Sequence, residues 1–348
     1  MSKDVEKFVK LFELSSMNIL ALIQSSTIDG LTKQRKTELL ADIGAIIATV
    51  QGDSTDLILS IIEKAYKNGS KEAVDEMRVQ GKKDVDATFK SRIHQEAVQR
   101  IIDEAFYNVL EATDFMTMDV KQRIESIIQR ANQSSLVEGL TRREATKRAV
   151  AEVTDKGITG IITKNGANVP VEKYLSGAIH FHQRKAHVDG SINRMIENGQ
   201  DLLYVNSVGI TCSMCAQYQG RVYSISGQDK RFPPLLQRPP YHAHCVHSAY
   251  PWNIEYQDEA DINKMLIVSN RPFVDNRTDH AIKKYNETQR EKSKKNDTRK
   301  QWIRYKSRMP DLPDLRTFAS HKARNTQTYR DWMEDYRTLG VTFKERDG

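Results

Sequence analysis

The chain has 348 residues, of which 39% are apolar and 28% charged, with a formal net charge of +7. At ~100–200 residues per domain this length allows two or three domains with a buried core, and the composition excludes wholesale disorder. Three cysteines exclude a disulfide scaffold and fit a reducing compartment.

The N-terminal residues, beginning Met1-Ser-Lys-Asp-Val-Glu-Lys7, lack the basic-then-apolar pattern of a secretory signal. Apolar stretches such as Ile43–Val50 are far shorter than the ~20 residues of a membrane helix, so a soluble intracellular protein without membrane contact is expected. All nine prolines fall at Pro170 or later, leaving the first half almost free of helix breakers. Its apolar residues keep a helical step, as in Val85, Phe89, Ile93, Val98, Ile101 and Ala105. Asp53 or Ser54 reads as a helix start before Leu57–Ile62, and Thr141-Arg-Arg-Glu144 as a capping box before Ala145–Val153.

From Gly157 the style changes. Extended stretches are predicted at Gly157–Thr163, Leu202–Val208 and Arg221–Ile225, the last entered through a Gln219-Gly220 hairpin turn, with one helix near Val171–Glu197. From Gln257 the composition is helical again, interrupted near Pro310 and Pro313. The predicted fold is therefore mainly α with a small α+β domain. Residues 1–155 form an elongated helical bundle, 156–256 a small zinc-stapled α+β domain with a Cys/His cluster, and 257–348 a basic helical tail.

The positive charge is concentrated in that tail. Between Ala281 and Arg330 fifteen Lys and Arg face five Asp and Glu, a local excess of +10 that leaves about −3 for the remainder. Lys292, Lys294, Lys295, Arg299, Lys300, Arg304 and Lys306 are the candidate nucleic-acid contacts. An acidic partner surface, or plain solvation of a helix face, would explain the same charge.

The most informative stretch holds all three cysteines. Cys212-Ser-Met-Cys215 has the spacing at which two thiolates grip one zinc ion, and His242-Ala-His-Cys-Val-His247 supplies the complement. Cys212, Cys215, His242 and Cys245 would make a Cys3His structural zinc site, with His247 the alternate fourth donor. A turn carrying three reduced cysteines and solvent-facing histidines is the plainer reading. A zinc deaminase is excluded, because His187-Val-Asp189 offers Asp where a Glu is needed and Thr211 stands where Pro should be. A thiol oxidoreductase wants a helix running on from the second cysteine, and Ala216–Gly220 turns instead. A metal-finger nuclease would use His242 or His244 to activate water, yet Asp229 is the one acid between Cys212 and Trp252.

These motifs resemble one family. Cys212–Cys215, Tyr218-Gln-Gly-Arg-Val-Tyr-Ser-Ile-Ser-Gly227, Phe232-Pro-Pro-Leu235, His242–His247 and Tyr250-Pro-Trp252 are similar to the minor capsid or head-morphogenesis proteins of tailed bacteriophages, the group called phage minor capsid protein 2. Tyr174, the lead-in Glu197-Asn-Gly-Gln-Asp201 and the tail Gln301-Trp-Ile-Arg-Tyr-Lys306 fit as well, so the likeness covers about residue 140 to the C-terminus. The family's His-Pro-Asn-Cys-Arg-His reads His-Ala-His-Cys-Val-His here, which keeps the candidate ligands and loses the Arg. The resemblance implies a virion protein without catalysis, assembled in the host bacterial cytoplasm and seated in the head near the portal vertex. It would act in head assembly and DNA packaging or delivery. The implied partners are the portal protein and the major capsid or scaffolding protein; genomic DNA is expected as a further partner from the charge of the basic tail.

Overall fold

A sequence without internal proline and with a 3.6-residue apolar period has few ways to end a helix, and its helices run long. The computed structural model describes residues 3–26, 32–89, 91–137, 139–154, 158–309 and 311–341. Within its first half lie α1 (Lys3–Ser26), α2 (Lys33–Val79), α3 (Arg92–Val137) and α4 (Arg142–Val153), with no strand among the described residues there. The capping box is formed: the Thr141 hydroxyl accepts from the Glu144 amide while the Glu144 carboxylate accepts from the Thr141 amide.

The helix start expected at Asp53 or Ser54 is absent. α2 runs straight through Gly52-Asp-Ser, and the Ser54 hydroxyl donates back to the Gln51 carbonyl at 2.8 Å. Because the helix continues, apolar residues that look scattered in short stretches join into one span. A window of mean hydropathy 1.3 within Gln34–Val79 has the length and composition to cross a membrane. Its buried positions, Ile43, Ile47, Val50, Ile58, Ile61 and Ile62, recur at the spacing of one packed face.

β1 (Thr159–Ile162) and β2 (Asn168–Pro170) pair antiparallel and lead into α5 (Val171–Glu197). β3 (Leu202–Val205), β4 (Arg221–Ser224) and β5 (Ala249–Pro251) form an antiparallel sheet of order β4-β3-β5, with the one-turn α6 (Ser213–Ala216) between β3 and β4. The expected tight hairpin at Gln219-Gly220 is thereby corrected. β4 does pair backwards, Leu203 opposite Tyr223, but its partner is reached through the whole loop 206–220. Gly220, at φ 71°, closes that loop, its amide donating to the Val205 carbonyl at 2.8 Å. α7 (Glu259–Asn270), α8 (Asp279–Arg308), α9 (Leu315–Ala323) and α10 (Gln327–Val341) complete the chain. Gly157 and Pro310, expected at a strand start and a helix break, lie outside the described residues.

Packing divides the chain into two units, each assembled from three stretches: 1–6, 55–108 and 176–289 in the first, and 7–54, 109–175 and 290–348 in the second. In the first unit the period-2 alternation of the strands sends Leu203, Val205, Tyr223 and Ala249 onto Val188, Ile192 and Met195 of α5. The opposite face, Leu202, Val222 and Trp252 with Phe232, packs on Ile262, Met265 and Leu266 of α7. α2 crosses α5 so closely that a Cβ on Gly69 would lie 1.8 Å from the His187 carbonyl oxygen, and one on Gly190 2.2 Å from that of Tyr66. In the second unit Tyr305, Leu312, Phe318, Tyr329 and Tyr336 form an aromatic core joined by Trp302 and Trp332. Its tightest pair, Tyr305 and Tyr336, stacks with centroids 4.1 Å apart.

Candidate metal centre

The Cys212–Cys215 turn is made by local capping chemistry. Cys212 is the N-cap of α6, and its sulfur accepts from the Cys215 amide at 3.4 Å. That contact turns both sulfurs to the same side. A second turn, in which the Cys245 amide donates to the His242 carbonyl at 2.9 Å, aims His242 and Cys245 at them. Stacked Tyr218 and Tyr241, 4.6 Å apart, wall the site, and Cys215, Cys245 and His247 are buried.

Four other donors surround Cys215. His242 Nε2 lies 3.2 Å from the sulfurs of both Cys212 and Cys215, and Cys215 Sγ lies 3.7 Å from Cys245 Sγ. His247 Nδ1 is 3.4 Å from Cys245 Sγ. The donors form two triples that share Cys215: Cys212, Cys215 and His242, and Cys215, Cys245 and His247. With Zn–S bonds near 2.3 Å, two sulfurs on one tetrahedral ion stand about 3.8 Å apart, so the Cys215–Cys245 separation fits. The sulfur–imidazole separations are a few tenths of an ångström shorter than an occupied site requires. Three soft thiols and two imidazoles in a pocket walled by aromatic rings are a donor set that can hold a metal ion.

The electrostatics agree with that reading. The Cys215 thiol donates to Cys245; that bond and burial raise Cys215 far above the ordinary thiol range, while the same bond, helped by His247, brings Cys245 well below it against its own burial. Two adjacent buried thiolates repel, so without a cation one proton stays between them. A divalent ion would release it and hold both sulfurs.

Sequence reasoning did not single out Gln219. Its Oε1 stands 3.0 Å from His247 Nε2 and accepts from the Val208 amide at 3.0 Å. An imidazole that donates through Nε2 presents the lone pair of Nδ1 to the sulfurs, the usual arrangement around a ligating histidine. No local pattern signals such a bond, since its ends are 28 residues apart. Arg277 was also missed: it donates to the Thr211 carbonyl at 3.0 Å, next to Cys212.

The acid on which a nuclease site would draw is already engaged. The Asp229 carboxylate is taken by Arg231, at 3.0 and 2.7 Å. His187 and Asp189, the rejected deaminase pair, bind Glu72 and Arg238 instead. The basic candidates fall into two sets. Lys292, Lys294 and Lys295 are exposed on α8. Arg299 is paired with Glu13, Lys300 lies 3.8 Å from Asp297, and Lys306 donates to the Leu312 carbonyl, while Arg304 is half-buried.

A family model described as phage minor capsid protein 2 matches residues 32–336. It therefore takes in α2 and α3, which the sequence motifs do not reach, while α1 lies ahead of it. No curated protein and no solved structure matches the chain.

Proposed function

The chain belongs to the phage minor capsid protein 2 family, and from that premise we propose that it acts at or near the portal vertex in head assembly and in packaging or delivery of DNA. Membership makes it a structural protein of the virion that meets other head proteins. The portal protein is the partner proposed first, with the major capsid or scaffolding protein beside it. What carries the reading is the span of the match, which includes helices of both units together with the Cys/His centre. The stretches 1–155, 156–256 and 257–348 are read as a division of duties: docking, a stapled middle, and charge. Co-purification with portal rings from empty, DNA-free heads tests the placement. Rings that lack the protein, in heads that contain it, would overturn it.

The centre is assigned a structural zinc on Cys212, Cys215, His242 and Cys245, with His247 held by Gln219 as the alternate donor. Support comes from the donor chemistry and from the sulfur spacing. About one zinc per chain by elemental analysis, and local unfolding on chelation, are the expected results. A folded chain with well under one equivalent would end the assignment.

The protein is proposed to do no catalysis. A plasmid-nicking assay with Mg2+ or Mn2+ distinguishes this from the nuclease reading: metal-dependent cleavage lost in His244→Ala would reinstate an enzyme.

A further inference from the structure

α8 has a composition that packing does not explain. From Asn286 to Gln301 it contains no apolar residue, and residues 289–297 are exposed on every side of the helix. A stretch of helix that buries nothing gains no stability from a core, so this stretch is present for another reason. Lys283, Lys284, Arg290, Lys292, Lys294 and Lys295 are all exposed. Among the described residues none of the six has an ion-pair partner. Two acids, Glu287 and Glu291, share the segment, leaving a net +4 over about 18 Å of helix. Further along, the cations are committed within the second unit, Arg299 to Glu13 and Lys306 to the Leu312 carbonyl.

Resting on the packaging-and-delivery reading, we propose that Lys283–Lys295 of α8 is a contact for the phosphate backbone of duplex DNA, made without regard to sequence. Two classes of acidic partner compete for such a face, and composition separates them. The centre of a protein–protein interface is enriched in aromatic residues, Met and Arg and depleted in Lys. Interfaces with DNA are polar and strongly positive. Five of these six cations are lysines, and the one aromatic of the segment, half-buried Tyr285, has the Arg277 guanidinium over its ring at 5.5 Å, which leaves none open to anchor a protein or stack on a base. No side chain here is placed to read base edges, since long lysines bathed in solvent neutralise phosphates at any register. The site is therefore narrower than the basic tail as a whole. It excludes α9 and α10, whose apolar faces close the aromatic core.

The test uses the full-length protein and unrelated duplexes of equal length, with affinity followed by fluorescence anisotropy from about 50 to about 200 mM salt. Each phosphate contact contributes about 0.9 to the log–log slope, so six contacts predict a slope near −5. The triple variant Lys292→Glu, Lys294→Glu, Lys295→Glu should bind at least ~10-fold more weakly at low salt and lose about three units of slope. A matched variant, Lys10→Glu, Lys71→Glu, Lys121→Glu, alters the net charge equally at exposed positions elsewhere and should keep most of the affinity. Equal loss in both variants would mean diffuse charge, and a marked preference for one duplex would mean base reading; either overturns the proposal. So does unchanged DNA binding in the first variant. Portal rings provide the separate arm. Retention on rings with DNA binding lost is the expected outcome for the α8 variant. Ring binding lost instead, with DNA affinity intact, would reassign the helix to an acidic protein surface and leave the capsid role standing.

Discussion

Arg221 shows why a sequence signature can be dense without being catalytic. Fully buried in Tyr218–Gly227, its guanidinium donates to the carbonyls of Ser269, Arg271 and Pro272 at the end of α7 and lies over the Phe273 ring. Asp201 accepts from the Ser224 hydroxyl and the Ser226 amide, and Tyr223 donates to the Tyr218 carbonyl. Most of that signature is thus structural wiring around the Cys/His centre. Arg221→Ala should cost about 3 kcal/mol by chemical denaturation, because the buried Ser269 carbonyl and the Arg271 and Pro272 carbonyls beside it lose a charged donor. Glu172 offers a pH-dependent counterpart. It sits in the first turn of α5 beside Glu13, Arg299 and Lys300, and burial lifts its carboxyl to about 7. A raised folded value means the stability it contributes is fully present below about 4.5 and is lost as pH rises to about 7. Near pH 8 that loss is about 3 kcal/mol, so Glu172→Gln should be the more stable chain there and nearly equal to wild type near pH 4. His182 works the opposite way, since burial brings its imidazole down to about 4 and its contribution fades as pH falls from 6.5. Unfolding midpoints of both chains across that range check the sign.

At the level of elements, α2 carries glycines of two kinds. Gly44 and Gly52 face open space, so nothing meets a methyl group added there. Gly44→Ala and Gly52→Ala should each stabilise the protein by about 1 kcal/mol, seen as a higher melting temperature. Gly69 sits against the His187 backbone, and Gly69→Ala should lower the melting temperature by forcing α2 away from α5. Spacing alone makes these three glycines look alike. The continuity of α2 was hidden for a similar reason: Gly52-Asp-Ser has the residues of a helix start, yet a packed face on both sides of it outweighs a weak local preference.

Over the whole molecule, the C-terminal helices α8, α9 and α10 carry an aromatic core of their own. Phe318 contacts Tyr305, Tyr329 and Trp332, and Phe318→Ala should destabilise the second unit by about 3–5 kcal/mol in a denaturant titration. Residues 7–54, 109–175 and 290–348 build that unit together, although no stretch of sequence announces the partnership. The sequence by itself determined the helical class, the boundaries of α5, the capping box, the strands near 159, 202 and 221, and the Cys/His motif with its family likeness. All of these depend on period, cap chemistry or fixed spacing between near neighbours, which a linear reading records. Tertiary structure decided the rest: the loop that replaces the expected hairpin turn, the share of Gln219 in the metal centre, the close α2–α5 crossing, and which lysines stay free. Those depend on groups far apart in the chain meeting in space, where burial and hydrogen-bond geometry choose among partners that the sequence leaves equal.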